Sequence, residues 1–208
     1  MTRLGENVET EVENIIAQLC GCIDTGTLSK YGKYSKIKDV EKRKDKIEID
    51  TSKWVQKDID NFNLVSDNLN SLALFACSFI GTKYTYGGAS IEGGFDCSAF
   101  VQYVYSQYEI TLPRTSSEQL KLDQRGDFVA VSLDDAKPGD IVCYSGHVAI
   151  YLGSGKIVHA SNSANYYGEQ IVNEKGDIVN KRGGVKIDNI NYITYLKILH
   201  YTGAQNIN

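Results

Sequence analysis

The stretch Gly94-Phe95-Asp96-Cys97-Ser98-Ala99-Phe100-Val101-Gln102-Tyr103 sets a cysteine where a glycine-rich loop runs into an amphipathic segment. The spacing of the apolar residues predicts a helix from about Ser98 to Tyr108. The first backbone N–H groups of a helix are unpaired and favour an anion, and a thiolate there has a lowered pKa and acts as a nucleophile. Cys97 is therefore a candidate nucleophile, with a purely structural cysteine as the alternative.

Helices are also predicted on both sides of this stretch, because apolar residues recur there at three- and four-residue spacing. Thr115 and Ser116 precede the last of them, with Glu118 and Gln119 placed for a capping box. The predicted segments are Trp54 to Leu64, Asp67 to Ile80 and the short helix after Thr115.

Beyond residue 128 the apolar period changes to two, which predicts strands. Turn motifs such as Lys137-Pro138-Gly139-Asp140 and Gly153-Ser154-Gly155 separate them. Helices followed by an antiparallel sheet predict the α+β class. The predicted strands are Val129 to Leu133, Ile141 to Tyr144, His147 to Leu152, Lys156 to Ala160, Gln170 to Asn173, Val185 to Ile187 and Ile193 to His200.

Two of the chain's three histidines lie on neighbouring predicted strands. If Gly153-Ser154-Gly155 is a three-residue loop, His147 and His159 share one face of the sheet as diagonal neighbours, whereas a shift of one residue would separate them. Cys97 with two imidazoles is an activated-nucleophile arrangement, in which one ring is the base and the other orients it. Spacing alone leaves these two roles interchangeable. Zinc binding by the three residues is a weaker alternative, because they lack the short ligand spacings of structural zinc sites.

Composition excludes several classes of protein. The chain has 208 residues, 42% of them hydrophobic and 23% charged, and a net charge of −4. This balance is typical of a globular protein, and the acidic excess argues against general nucleic-acid binding. The longest apolar stretch, Leu72 to Ile80, is far below the roughly 20 residues that span a membrane. Residues 1–24 show no secretory signal, so we expect none in the chain as given.

Four of the five cysteines lie outside the stretch around Cys97. Cys77 and Cys143 lie on apolar faces and are expected to be buried core thiols. Cys20 and Cys22 form a pair of unknown state.

Residues 1–65, which include a charged run from Lys36 to Lys46, are predicted to be an N-terminal extension of unknown role. Residues 66–203 would form one catalytic domain and residues 204–208 a tail.

Six fragments in a fixed order resemble the NlpC/P60 family, the papain-like cysteine peptidases of the bacterial cell wall. The first contains Tyr84 and the second is the stretch around Cys97. The fragments are Tyr84-Thr85-Tyr86-Gly87-Gly88, residues 94–103, Leu112-Pro113-Arg114-Thr115-Ser116, Pro138-Gly139-Asp140-Ile141-Val142, residues 147–153 and Ile157-Val158-His159-Ala160. Conservative departures occur at Tyr86, Ala99 and Ala149, which bear on substrate preference more than on activity.

The resemblance implies a papain-like NlpC/P60 fold with the nucleophile at the N-terminus of a helix. It implies a triad of Cys97, His147 as the base and His159 as the orienting residue. Tyr84 would lie near the oxyanion position, and Asp96 and Ser98 would bind the free amino end of a stem peptide.

The same resemblance implies hydrolysis of an amide bond in peptidoglycan stem peptides or muropeptides, usually the bond between γ-D-glutamate and a diamino acid. The expected place of action is the bacterial cell wall, and neither a cofactor nor a metal is implied. The alternative is a papain-like amidase, transacylase or toxin that acts on a substrate outside the wall.

Overall fold

The computed structural model describes residues 47–52, 54–162, 170–172, 178–181 and 183–203. Several predictions fall outside these residues: the N-terminal extension up to residue 46, with Cys20, Cys22 and the charged run, and the tail at 204–208. Within the described ranges, no helix combines the length and hydropathy that crossing a bilayer requires.

A six-stranded antiparallel sheet forms the centre of the fold, and from one edge to the other its strands are residues 128–131, 195–201, 141–144, 147–153, 156–161 and 184–189. The predicted α+β class is therefore confirmed. The six strands are β3 Phe128–Val131, β4 Ile141–Tyr144, β5 His147–Gly153, β6 Lys156–Ser161, β9 Gly184–Asn189 and β10 Tyr195–Tyr201. Two small sheets pair β1 Ala89–Ser90 with β2 Gly94–Phe95, and β7 Gln170–Val172 with β8 Ile178–Lys181.

Four α-helices are described, and they are α1 Gln56–Asn63, α2 Ser71–Cys77, α3 Cys97–Ser106 and α4 Ser116–Gln119. Helix α2 is shorter than the predicted Asp67 to Ile80, because Asn70 caps it by accepting the Ala73 N–H and residues 66–68 form a separate 3₁₀ turn. The capping box at α4 is present as predicted between Thr115 and Glu118.

Helix α3 packs against β5 and β6, which sets its first residue beside the sheet. The ring of Phe79, which follows α2, makes edge contacts with Phe95, Phe100 and Tyr103 at centroid distances of 6.2, 6.2 and 5.6 Å. Since Phe95, Phe100 and Tyr103 lie just before and along α3, this cluster fixes the start of that helix.

The β5–β6 hairpin gives the register that the sequence predicts, although its turn differs. Gly153 pairs with Lys156 across a two-residue turn in which Ser154 and Gly155 have φ of 48° and 68°. Positive φ at both positions suits the twist of a two-residue hairpin. A register shift follows, so that Tyr151 pairs with Ile157 and Ile150 with Val158. The shift restores the alignment that a three-residue loop would give, and it sets His147 and His159 on one face.

Helix α1 contacts the edge strand β9. The Asp58 carboxylate accepts the backbone N–H of Ile187 at 2.8 Å, and the Lys57 ammonium lies 3.2 Å from Asp188. The predicted division at residue 65 stays a prediction, but a helix on its N-terminal side supplies side chains to the sheet.

Candidate active site

The N-terminus of helix α3 holds the candidate nucleophile, Cys97. Asp96 caps the helix by accepting the Ala99 N–H at 2.8 Å. The N–H groups of Cys97 and Ser98 have no acceptor inside the helix. Together with the N–H of Val148 on β5, they lie near the Cys97 thiol and offset part of the rise that burial causes in its pKa. The thiol therefore lies beside the residue that follows His147.

Two glycines let the loop before α3 close tightly on itself. A Cβ at Gly88 would lie 2.5 Å from the Gly94 carbonyl oxygen, and Gly94 has a φ of +88°. Both features favour glycine, because one position has no room for a side chain and the other has a left-handed backbone. The closure also brings the Asp96 N–H to the Gly88 carbonyl at 3.1 Å. The glycine-rich loop thereby holds the cap of the helix that begins with Cys97.

The two histidines on β5 and β6 form the start of a buried hydrogen-bonded chain. His147 Nε2 lies 2.8 Å from His159 Nδ1, and the two rings are nearly perpendicular at a centroid distance of 5.0 Å. On its other side, His159 Nε2 lies 3.1 Å from Asp188 Oδ2 on β9. His159 is 0% exposed and Asp188 is 8% exposed. The structure thus adds a carboxylate to the two histidines that the sequence pairs.

Burial dominates the protonation of these groups. It lowers the pKa of His147 to about 3, with smaller contributions from His159 and Lys186. Burial also lowers the pKa of His159, although Asp188 opposes this. The sequence predicts a lowered pKa for Cys97, but burial and then Asp96 raise it, while the backbone N–H groups offset part of that rise. At neutral pH the resting site therefore holds a neutral thiol beside two neutral imidazoles.

Tyr192 covers both imidazoles, and the sequence patterns do not single it out. Its ring lies 4.9 Å from the ring of His159 and 6.1 Å from that of His147. Burial and then the charges of Asp188 and Cys97 raise the pKa of Tyr192, so its hydroxyl stays neutral near the thiol. Tyr192 lies in a 3₁₀ turn between β9 and β10, a place that hydrophobic periodicity does not identify.

The carboxylate of Asp96 is fully engaged within the protein. Arg114 donates to its two oxygens at 3.0 and 2.7 Å, and Ser98 Oγ, Gly87 N and Ala99 N also donate to it. These five hydrogen bonds exhaust the roughly four acceptor positions of a carboxylate. A substrate ammonium would therefore have to replace one of the donors. The predicted role of Asp96 and Ser98 in binding an amino end stays a prediction.

Tyr84 lies on the loop before β1, and its role near the oxyanion position stays a prediction. Burial raises the pKa of Tyr84, and the charges of Cys97 and Asp96 raise it further, so its hydroxyl interacts electrostatically with both groups. Its backbone N–H donates to the Gly183 carbonyl at 2.7 Å, which ties the loop to the residue before β9.

The remaining cysteines and the third histidine lie elsewhere. Cys77 and Cys143 are buried core thiols, as predicted, and their side chains are 0% exposed. His200 Nδ1 lies 2.7 Å from the buried Asp140, so it has a partner that its sequence spacing does not reveal. In the part of the chain that the structure describes, no three His, Cys, Asp or Glu side chains are grouped as metal ligands.

Part of the chain is similar in sequence to proteins of a known family. Residues 81–177 match the model of the NlpC/P60 family. The chain is similar to the bifunctional muramidase/DL-endopeptidase CwlT of Bacillus subtilis, with 35% identity over 45% of this chain and 30% of that protein. It is also similar to a gamma-DL-glutamyl hydrolase of Bacillus subtilis, with 36% identity over 42% of this chain and 22% of that protein.

The chain therefore spans less than a third of the length of these two curated relatives. Among solved structures, it resembles the peptidoglycan hydrolase RipB of Mycobacterium tuberculosis, with 20% identity, 88% of each chain covered and a TM-score of 0.47.

Proposed function

Because residues 81–177 match the model of the NlpC/P60 family, we propose that the chain is a cysteine peptidase that hydrolyses stem-peptide amide bonds of peptidoglycan. The observation that carries this proposal is the 2.8 Å hydrogen bond between His147 and His159 beside the helix that begins with Cys97. A nucleophile, a base and an orienting group are the parts that acyl transfer requires.

In the first step, the Cys97 sulfur attacks the substrate carbonyl while His147 takes the thiol proton. Nε2 of His147 is engaged by His159, so Nδ1 is the ring nitrogen left for that proton. The resting pair is neutral, which means that the thiolate and the imidazolium form together as the bond is made. The C–S bond forms, the carbonyl π bond opens to an oxyanion, and His147 holds one extra proton.

The oxyanion needs donors that are already in place. The backbone N–H of Cys97, at the unpaired start of helix α3, is the donor we assign to it, with Tyr84 as a second candidate. His147 then gives its proton to the leaving amine, which leaves an acyl group on Cys97. Water, deprotonated by the same imidazole, releases the acyl group and restores the thiol.

The activities named for two relatives support the choice of bond. One is a DL-endopeptidase and the other a gamma-DL-glutamyl hydrolase. We therefore propose the amide between γ-D-glutamate and a diamino acid as the bond that is cleaved, with stem peptides or muropeptides as substrate and the cell wall as the place of action. Asp96 and Ser98 would receive the amino end of the stem only by exchanging a donor of the network around Arg114.

Mass spectrometry of digested muropeptides tests the proposal. We expect the native protein to split stem peptides into two fragments whose masses sum to the substrate plus one water, and the Cys97→Ala variant to leave them intact. Cys143→Ala is the matched control, since Cys143 is a buried thiol on β4 outside the site, and it should cleave as the native protein does.

Two results would contradict the proposal. Cleavage by folded Cys97→Ala would remove Cys97 from its role as nucleophile. Intact muropeptides of every stem composition, alongside native turnover of a protein or lipid substrate, would favour the alternative of a papain-like enzyme that acts outside the wall.

A further inference from the structure

The hydrogen-bonded chain of the active site does not end at His159, and its last member lies outside the residues that match the family. Asp188 and its neighbour Lys186 are on β9, beyond residue 177, and Lys57 is on α1, before residue 81. Family resemblance therefore assigns nothing to these three side chains.

The β6–β9 register brings them to His159. His159 pairs with Lys186 and Ile157 pairs with Asp188. Paired residues share a face of the sheet, and so do residues two apart on one strand. The side chains of Asp188, Lys186 and His159 therefore lie together on one face, and Asp188 reaches diagonally across the strands to the ring of His159.

Two ammonium groups keep the Asp188 carboxylate ionised. Lys186 Nζ lies 2.8 Å from Asp188 Oδ2, and Lys57 Nζ lies 3.2 Å from Oδ1. Tyr144 and Tyr192 also face this carboxylate, and both are neutral at ordinary pH. An ionised carboxylate only accepts hydrogen bonds. The nitrogen that faces it, His159 Nε2, must therefore carry a hydrogen.

This requirement passes along the chain to His147. A neutral imidazole has one N–H and one acceptor nitrogen. With the hydrogen on Nε2, His159 has an acceptor at Nδ1, so the hydrogen in the 2.8 Å contact belongs to His147 Nε2. His147 is then left with a free lone pair at Nδ1. That tautomer can take a proton from a thiol, whereas the opposite one cannot do so at Nδ1.

We propose that Asp188 is a positioning residue that fixes the tautomers of both His159 and His147, and so keeps His147 Nδ1 available as the base. The inference deepens the proposed peptidase mechanism and rests on it. Asp188 touches neither the substrate nor the thiol in this scheme, and it acts only through the two imidazoles.

Long-range proton–nitrogen NMR of the histidine rings tests the assignment without any wall substrate. In the full chain we expect Nε2–H tautomers at His147 and His159. In Asp188→Leu, which removes the acceptor, we expect mixed tautomers at both rings, while His200, bound to Asp140, stays unchanged as an internal reference.

The rate at which iodoacetamide alkylates Cys97 is a second measurement, because it depends on whether the tautomer of His147 leaves Nδ1 able to take the thiol proton. We expect Asp188→Leu to slow alkylation at neutral pH and to lower kcat on muropeptides by about a hundredfold or more, with little change in KM. Asp58→Asn is the matched control. It changes a buried carboxylate that bonds to the same strand at Ile187. It should leave the tautomers of both rings unchanged and the rates within about twofold of the native protein.

A second variant covers the case in which Asp188→Leu does not fold. In Asp188→Asn, both lysines can only donate, but the Lys57 side chain is 57% exposed and can turn away into water, whereas that of Lys186 is 13% exposed and cannot. Lys186 therefore turns the amide oxygen toward itself and His159, and the native tautomers should persist. Adding Lys186→Met removes that constraint and should give mixed tautomers. Single Nε2–H tautomers in either folded Asp188→Leu or the double variant would overturn the proposal. Altered tautomers in a protein that cleaves no muropeptide would uphold Asp188 and refute the peptidase function instead.

Discussion

Removing the Arg114 side chain is expected to destabilise the helix start that holds Cys97. Arg114 Nη1 and Nη2 bond to the two oxygens of Asp96 at 3.0 and 2.7 Å, and Nη1 also bonds to Ser98 Oγ at 3.0 Å. Asp96 is the N-cap of α3. Arg114→Ala therefore removes two hydrogen bonds from the cap residue and one from Ser98, and it leaves the Asp96 charge without its cation.

The magnitude follows from the exposure of the two partners. The Asp96 side chain is 12% exposed and the Arg114 side chain is 38% exposed. A hydrogen bond to a charged group contributes about 1.5–3 kcal/mol to stability when it is buried. Solvent screens the half-exposed guanidinium, and Asp96 keeps the N–H groups of Gly87 and Ala99. We expect the free energy of unfolding to fall by about 2 kcal/mol.

Urea unfolding of the full chain measures this change, and Arg125→Ala is the matched control. Arg125 pairs with Asp127 at 2.8 Å, but the two side chains are 42% and 30% exposed, so its loss should cost less than about 1 kcal/mol. With a slope of about 2 kcal/mol per molar urea, Arg114→Ala should lower the midpoint by about 1 M. An equal or smaller shift than that of Arg125→Ala would refute the reasoning that the buried cap, rather than a surface ion pair, is what Arg114 stabilises.

Two further outcomes follow from burial. Cys97, the least buried of the described thiols, should be alkylated faster at neutral pH than Cys143, whose pKa burial raises to about 12; peptide mapping after brief exposure to iodoacetamide checks this, and faster labelling of Cys143 would contradict it. His147 and His159 have pKa values below the unfolded value of 6.5, so below that pH the unfolded chain binds more protons and stability is lost as pH falls. The loss due to His147, whose pKa is about 3, should be about 2 kcal/mol between pH 7 and pH 5, and His159 adds a loss of the same sign. An unfolding free energy that stays flat over this range would show that the rings are protonated in the folded state.

Local sequence patterns predict the parts of the site that lie on regular helices and strands. The helix after Cys97, the strands of His147 and His159 and their shared face all follow from period and turn residues. The register is right even though the hairpin has a two-residue turn, because the shift between Tyr151 and Gly153 compensates for the shorter loop. Periodicity predicts neither the two-residue turn, with its positive φ at Ser154 and Gly155, nor the irregular pairing next to it.

The groups that sequence patterns miss are those that long-range pairing brings in. Asp188 reaches His159 only because β9 pairs with β6, and the two residues are 29 positions apart. Arg114 reaches Asp96 across 18 positions that include the whole of helix α3. The predicted fall in the pKa of Cys97 considers the helix N-terminus alone, whereas burial against β5 outweighs it. Desolvation is a property of the packed fold, so local sequence does not reveal it.

Cys97 and His147 are both neutral at rest, so the hydrogen-bonded chain from His147 through His159 to the Asp188 carboxylate matters most while the thiol proton moves. In the proposed mechanism, positive charge appears on His147 only as it takes the thiol proton, and its low pKa of about 3 means that the resting environment resists that charge. The negative charge that can stabilise it in this buried site is already fixed, because Asp188 is held ionised by Lys186 and Lys57 one imidazole away. Dipoles and charges set in place beforehand need no reorganisation when the transition state forms. The developing thiolate or oxyanion beside His147 supplies the remaining stabilisation, so the imidazolium is favoured during attack and disfavoured before it.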